Sequence, residues 1–138
     1  MPEMPIHRTT RRVEFSDTDM AGIMHFARFF HYMEQVEHEF LRTRNLSVIM
    51  DWEGRHIGFP RVSVHCDYQS PVRFEEVFDI LLELKKLGTK SITYEFRFTK
   101  GDQALATGTL VVCCCVMGEE KMVPVPIPES FKARLLGA

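Results

Sequence analysis

The chain has 138 residues, 45% of them hydrophobic and 26% charged, with a formal net charge of −2. That length can bury a core without disulfide staples, and the near-neutral balance excludes a general electrostatic attraction for nucleic acid or anionic membrane. No apolar run approaches the roughly 18 residues of a membrane span, and the opening MPEMPIHRTTRR lacks the apolar stretch of a secretory signal, so one cytoplasmic domain over residues 1–138 is expected.

His7 to Ser16 alternates weakly, with Val13 and Phe15 on one face, which predicts an opening strand. Asp17-Thr18-Asp19-Met20-Ala21-Gly22 has turn chemistry. From His25 to Arg44, Phe26, Phe29, Phe30, Met33, Val36, Phe40 and Leu41 recur at spacings of three and four. That pattern is one face of an amphipathic helix, with Asn45 as its stop. Glu34 falls at the edge of this face. Glu37 falls nearer its centre, where a lone carboxylate is costly to bury. Glu37 therefore needs a partner, an interface or a site.

Ser47 to Gly58 carries a weaker signal, read as a short helical turn over Val48 to Trp52. Strands are predicted over Phe59–Gln69, Arg73–Leu87, Lys90–Thr99, Gln103–Met117 and Lys121–Val125. They are punctuated by Ser70-Pro71, Gly88, Lys100-Gly101-Asp102 and Gly118-Glu119-Glu120. Pro128 to Leu136 closes the chain as a short helix with Pro near its start. Cys66, Cys113, Cys114 and Cys115 form no CxxC pair. Strand neighbours point to opposite faces, so these read as reduced thiols packed as small hydrophobes.

Consecutive strands joined by tight turns pair antiparallel. One long helix with a wide apolar face needs a curved sheet to cover it. The expected fold is α+β, a five- to six-stranded antiparallel sheet wrapped around one long central helix. Such a sheet leaves its outer face and edges open, and self-association is the usual remedy.

The stretch RVEFSDTDMAGIMHFARFF, Arg12 to Phe30, resembles the opening of the 4-hydroxybenzoyl-CoA thioesterase family of hotdog-fold proteins. The shared pattern is a strand, then Asp17 and Asp19 as D-x-D, then Gly22 and the long helix. VHCDYQSPVRFEE and LGTKSITYEF resemble the family's next two strands, so the likeness covers nearly the whole chain. It implies a hotdog fold and hydrolysis of an acyl-CoA thioester, with Asp19 as nucleophile or general base. The chemistry is sound from first principles. A thioester needs an attacking carboxylate or activated water and donors for the oxygen that gains charge. A helix start offers unpaired N–H groups and a positive dipole end.

By the same resemblance, the Phe26 backbone N–H would hold the thioester oxygen, with Gly22 letting the loop approach closely. Asp17 would cap the loop by accepting backbone N–H bonds. A related branch carries a functional His one position after His25, where Phe26 stands, which makes His25 a candidate. Glu34 matches a helix acid that faces the acyl pocket or orients water. Lys90-Ser91 matches a basic-plus-Ser element for CoA phosphate, although Gly88 and Thr89 replace the two arginines some members place before it. Phe59, Phe26, Phe29 and Met24 would form an apolar acyl pocket. The family's site lies between subunits, so the chain is expected as a homodimer or dimer of dimers, with Asp19 meeting Phe59 to Ser63 or Lys90 of its partner.

No cofactor is expected, since CoA is part of the substrate. His31, Glu34 and His38 share one helix face at metal-capable spacing, but no second ligand cluster accompanies them and no metal is expected. Two other readings are a non-catalytic acyl-CoA-binding hotdog protein and a hotdog dehydratase or hydratase. Binding without turnover would mark the first; a thioester left intact would mark the second.

Overall fold

The computed structural model describes residues 4–137. Strand β1 (Ile6–Arg12) opens it, shorter than the expected run to Ser16. The Val13 N–H leaves for the Glu76 carbonyl at 2.9 Å, and a single 3-10 turn follows over Phe15–Asp17. Val13 is buried while Phe15 is 77% exposed, so the two do not share a face.

Helix α1 (Phe26–Thr43) runs as expected. It buries Phe29, Met33, Val36, Phe40 and Leu41, while Phe26 stays exposed on its flank. Each such buried side chain contributes roughly 1.5–3 kcal/mol. Asn45, at φ 56°, turns the chain out of the helix.

The expected helical turn over Val48 to Trp52 is instead a hairpin of β2 (Ile49–Trp52) and β3 (Arg55–Gly58). Its two-residue turn, Glu53-Gly54, holds φ of 48° and 82°. That is the geometry whose twist matches antiparallel strands.

The main sheet adds β4 (Arg61–Tyr68), β5 (Val77–Leu87), β6 (Ser91–Lys100) and β7 (Gln103–Cys113). Its order is β1-β5-β6-β7-β4, antiparallel throughout. Strand β5 starts at Val77 rather than Arg73, because Glu75 takes φ of 74° and the Arg73 N–H turns onto the Glu76 side chain. The strand expected to reach Met117 breaks at Cys114, whose N–H bonds the Lys90 carbonyl while its own carbonyl accepts from Val125. Past that break β8 (Cys115–Met117) joins a second sheet, β2-β3-β8-β9, with β9 at Met122–Pro124. Helix α2 (Glu129–Leu135) packs Phe131 against Trp52 and Phe59.

The main sheet curves around α1. Phe78, Ile80, Leu82 and Leu84 of β5 and Ile92, Tyr94, Phe96 and Phe98 of β6 line its buried face. Gly108 on β7 leaves room for the end of the Met33 side chain from α1, which a Cβ there would meet. Among the described residues the cysteines are unpaired thiols, and burial pushes Cys114 up to about 11. No described helix is long and apolar enough to cross a membrane. Strand β4 lies at the sheet edge, and nearly all its residues are exposed.

Candidate active site

The chain between β1 and α1 carries its two aspartates in opposite states. Asp17 is buried at 1% exposure. Its carboxylate accepts Arg28 Nε at 2.8 Å, the Tyr32 hydroxyl at 2.5 Å and the Glu14 N–H at 2.9 Å. Its carbonyl accepts the His25 N–H at 2.8 Å. Burial, then the bond to Asp17, raises the Tyr32 phenol well above its ordinary range, so it remains a donor. Asp17 thus ties the loop to the first turns of α1 through the side chains of Arg28 and Tyr32, and its carboxylate accepts one backbone N–H, that of Glu14.

Asp19 is half-buried. Its Oδ1 accepts the Ala21 N–H at 2.8 Å, and among the described residues its side chain has no other partner. Its backbone closes the turn, donating to the Ile23 carbonyl and accepting from the Gly22 N–H, each at 3.0 Å. Gly22 sits at φ 79°, and the nearest atom to a Cβ there is Arg73 Nη1 at 4.0 Å. The positive φ favours glycine here.

At the helix start His25 is the N-cap. Its Nδ1 accepts the Ala27 N–H at 3.2 Å, and its carbonyl accepts the Arg28 N–H at 2.9 Å. Its ring stacks on Phe26 with centroids 4.5 Å apart. The Phe26 N–H heads the helix and has no intrahelical acceptor.

Beside these groups lies a cavity of about 400 Å³. Asp19, Ile23, Met24, Phe26 and Phe29 form one wall, and Tyr68, Gln69, Ser70 and Pro71 the other. Phe26, Phe29 and Met24, three of the four residues expected to line a pocket together, all line it. The second wall was not foreseen as such. Ser70-Pro71 signalled only the end of a strand, and nothing local says that this end folds back onto α1. The Tyr68 hydroxyl donates to the Phe26 carbonyl at 2.9 Å.

The remaining candidates lie elsewhere in the chain. Glu37 is buried beneath Arg61, which reaches its two carboxylate oxygens at 2.9 and 2.6 Å. Burial raises the Glu37 carboxyl above the usual range, and Arg61 offsets that without reversing it. The sequence-stated need for a partner is met by Arg61. Exposed Glu34 shares the same guanidinium at 3.2 Å. Glu34, His38, Arg61 and Phe59 line a different cavity, of about 340 Å³. Phe59 therefore does not line the Asp19 cavity of its own chain; it packs on Phe131 at 5.1 Å. Lys90 is exposed and Ser91 half-buried at the start of β6. Phe98, which touches Phe29 at 5.1 Å, is seven residues further along β6, roughly 23 Å at about 3.3 Å per residue. One chain thus gathers Asp19, Gly22, His25 and Phe26, and leaves Glu34, Phe59, Lys90 and Ser91 toward the other end.

Residues 13–135 match the family model described as the thioesterase-like superfamily. Over 122 residues the chain is 29% identical to acyl-CoA thioesterase YbgC of Haemophilus influenzae, covering 88% of each protein. Over 115 residues it is 30% identical to the 1,4-dihydroxy-2-naphthoyl-CoA hydrolase of Synechococcus sp. strain CC9605, covering 80% of this chain and 77% of the relative. Its fold matches the crystal structure of Slr0204, a 1,4-dihydroxy-2-naphthoyl-CoA thioesterase from Synechocystis, with a TM-score of 0.83 at 18% identity over 96% and 97% of the two chains. The arrangement of one long helix in a curved antiparallel sheet, with its D-x-D loop at the helix mouth, is therefore the hotdog fold, and the chain belongs to the thioesterase-like superfamily of enzymes.

Proposed function

We propose that the protein hydrolyses an acyl-CoA thioester to the free acid and CoA, and that Asp19 drives the reaction. The observation that carries this reading is the helix mouth. A carboxylate with one protein hydrogen bond shares a largely apolar cavity with the start of α1, where the Phe26 N–H has no intrahelical acceptor. The names of the two curated relatives, both acting on CoA thioesters, support the same class.

The acyl group enters between Phe26, Phe29 and Met24, with its carbonyl oxygen on the Phe26 N–H. Asp19 either attacks the carbonyl carbon and expels CoA thiolate, leaving an acyl–carboxylate anhydride that water opens, or takes a proton from the water that attacks directly. Both routes release one acid and one thiol and need no cofactor. As charge grows on the oxygen, the helix start stabilises it. His25 serves this site as the cap that holds the helix start, its Nδ1 accepting the Ala27 N–H.

The reading includes a homodimer, alone or paired into a dimer of dimers, built from one domain over residues 1–138. Edge strand β4 supports it: Val62, Val64 and Tyr68 are 63%, 47% and 45% exposed, beside Phe26 at 60%. Arg61 and Tyr68 end β4. Antiparallel pairing of two β4 edges about the strand centre would set Tyr68 opposite Arg61 of the partner subunit. Phe59 of the partner subunit and Glu34 of the partner subunit would then approach Asp19, and Lys90 with Ser91 would take the CoA phosphates.

Thiol release from a panel of aliphatic and aromatic acyl-CoAs tests the proposal. Turnover on at least one member is expected. Saturable acyl-CoA binding without thiol release across the panel would point to a binding protein, and an altered acyl chain with its thioester intact would point to a hydratase.

A further inference from the structure

Tyr68 ends the edge strand β4, yet its hydroxyl bonds the first residue of α1. Its ring packs edge-on to Phe29 with centroids 5.1 Å apart. Among the described residues it is the one β4 side chain hydrogen-bonded to the first turn of α1. The bond is not needed to satisfy a buried carbonyl. Phe26 is 60% exposed, and a first-turn helical carbonyl already accepts the N–H four residues on. What the bond adds is orientation.

The backbone at Phe26 is held from both sides. The preceding N–H, that of His25, bonds the Asp17 carbonyl at 2.8 Å, and Asp17 is itself fixed by Arg28 and Tyr32. The Phe26 carbonyl bonds Tyr68 at 2.9 Å. The Phe26 N–H lies between these anchors. An oxyanion donor works by being aimed before the charge appears, so its direction bears on rate more than on substrate affinity. We propose that Tyr68 is a positioning residue: by holding the Phe26 carbonyl from the cavity wall, it fixes the direction of the Phe26 N–H toward the thioester oxygen. The inference rests on thioester hydrolysis at the Asp19 site. Burial, with Cys66 alongside, pushes the Tyr68 phenol up to about 12, which keeps it a donor across the working range.

Tyr68→Phe removes the hydroxyl and keeps the ring. Its kcat should fall about tenfold, the size of one hydrogen bond's net contribution, with KM within about twofold and the thermal midpoint little changed. A residue that only braced the fold would lower the midpoint and leave the kcat of folded enzyme alone; that result overturns the proposal. A second readout does not depend on turnover. The Phe26 amide resonance in an isotope-labelled sample should shift in Tyr68→Phe. An unmoved Phe26 amide would sink the positioning role, whereas a wild type that releases thiol from no acyl-CoA, with a shifted amide, would strike the functional reading alone.

Discussion

Along the flank of α1 the carboxylates are tied down. Glu37 lies under Arg61, and Glu39 accepts Arg11 at 2.5 Å and His7 at 3.0 Å. At the mouth of the same helix Asp17 is tied down as well, by three donors. Asp19, two residues later, accepts a single backbone N–H among the described residues and faces a cavity. Acidic residues crowd both regions, so acidity does not separate structure from chemistry. Coordination does. A carboxylate whose lone pairs are filled by arginine, tyrosine and backbone donors holds elements together. One with lone pairs open toward an apolar cavity can meet a substrate.

If that contrast is right, breaking the bonds of a filled carboxylate should damage stability. The largest effect is expected at Glu37. Arg61→Ala leaves Glu37 buried without its guanidinium, and breaking a buried pair in that way costs about 3 kcal/mol or more. The denaturant midpoint reads this directly. An unchanged midpoint would place Glu37 with the uncommitted carboxylates and erase the distinction.

Glu39 offers a smaller, pH-dependent version. Burial alone would raise its carboxyl, but bonds from His7, Arg11 and Thr9 outweigh that and hold it at about 2. A depressed folded value means stability that is present above the ordinary carboxylate range and lost as pH falls toward 2. Glu39→Gln should therefore flatten the acid limb of a stability–pH curve. Its cost at neutral pH should be about 1 kcal/mol after allowing for solvent screening. A limb unchanged from the wild type would deny Glu39 its place among the tied groups.

Periodicity made the larger elements legible. The spacing from Phe26 to Leu41 marks α1, and the alternation from Ile92 to Phe98 marks β6. The burial of Glu37 was legible too, because a carboxylate near the centre of an apolar stripe demands a partner. The partner was not: Arg61 is 24 residues away on another element, and no local pattern joins them. The β2–β3 hairpin was missed because its signal is only a Glu-Gly pair at positive φ between two four-residue strands. The break at Cys114 was missed because the apolar run continues through it while its backbone bonds diverge. Asp19, Gly22 and Phe26 were nominated through a family pattern anchored in local chain order. Tyr68 to Pro71 were not, because their place in the cavity depends on a sheet edge returning to a helix start.

The most direct test of the central contrast is thiol release by Asp19→Asn beside Asp17→Asn and the wild type, with the thermal midpoint of each. Asp19→Asn should lose at least about a hundredfold in turnover and melt with the wild type. Asp17→Asn should melt well below it. Full turnover by Asp19→Asn would contradict the account and move the search for the reactive group to Glu34 and His25.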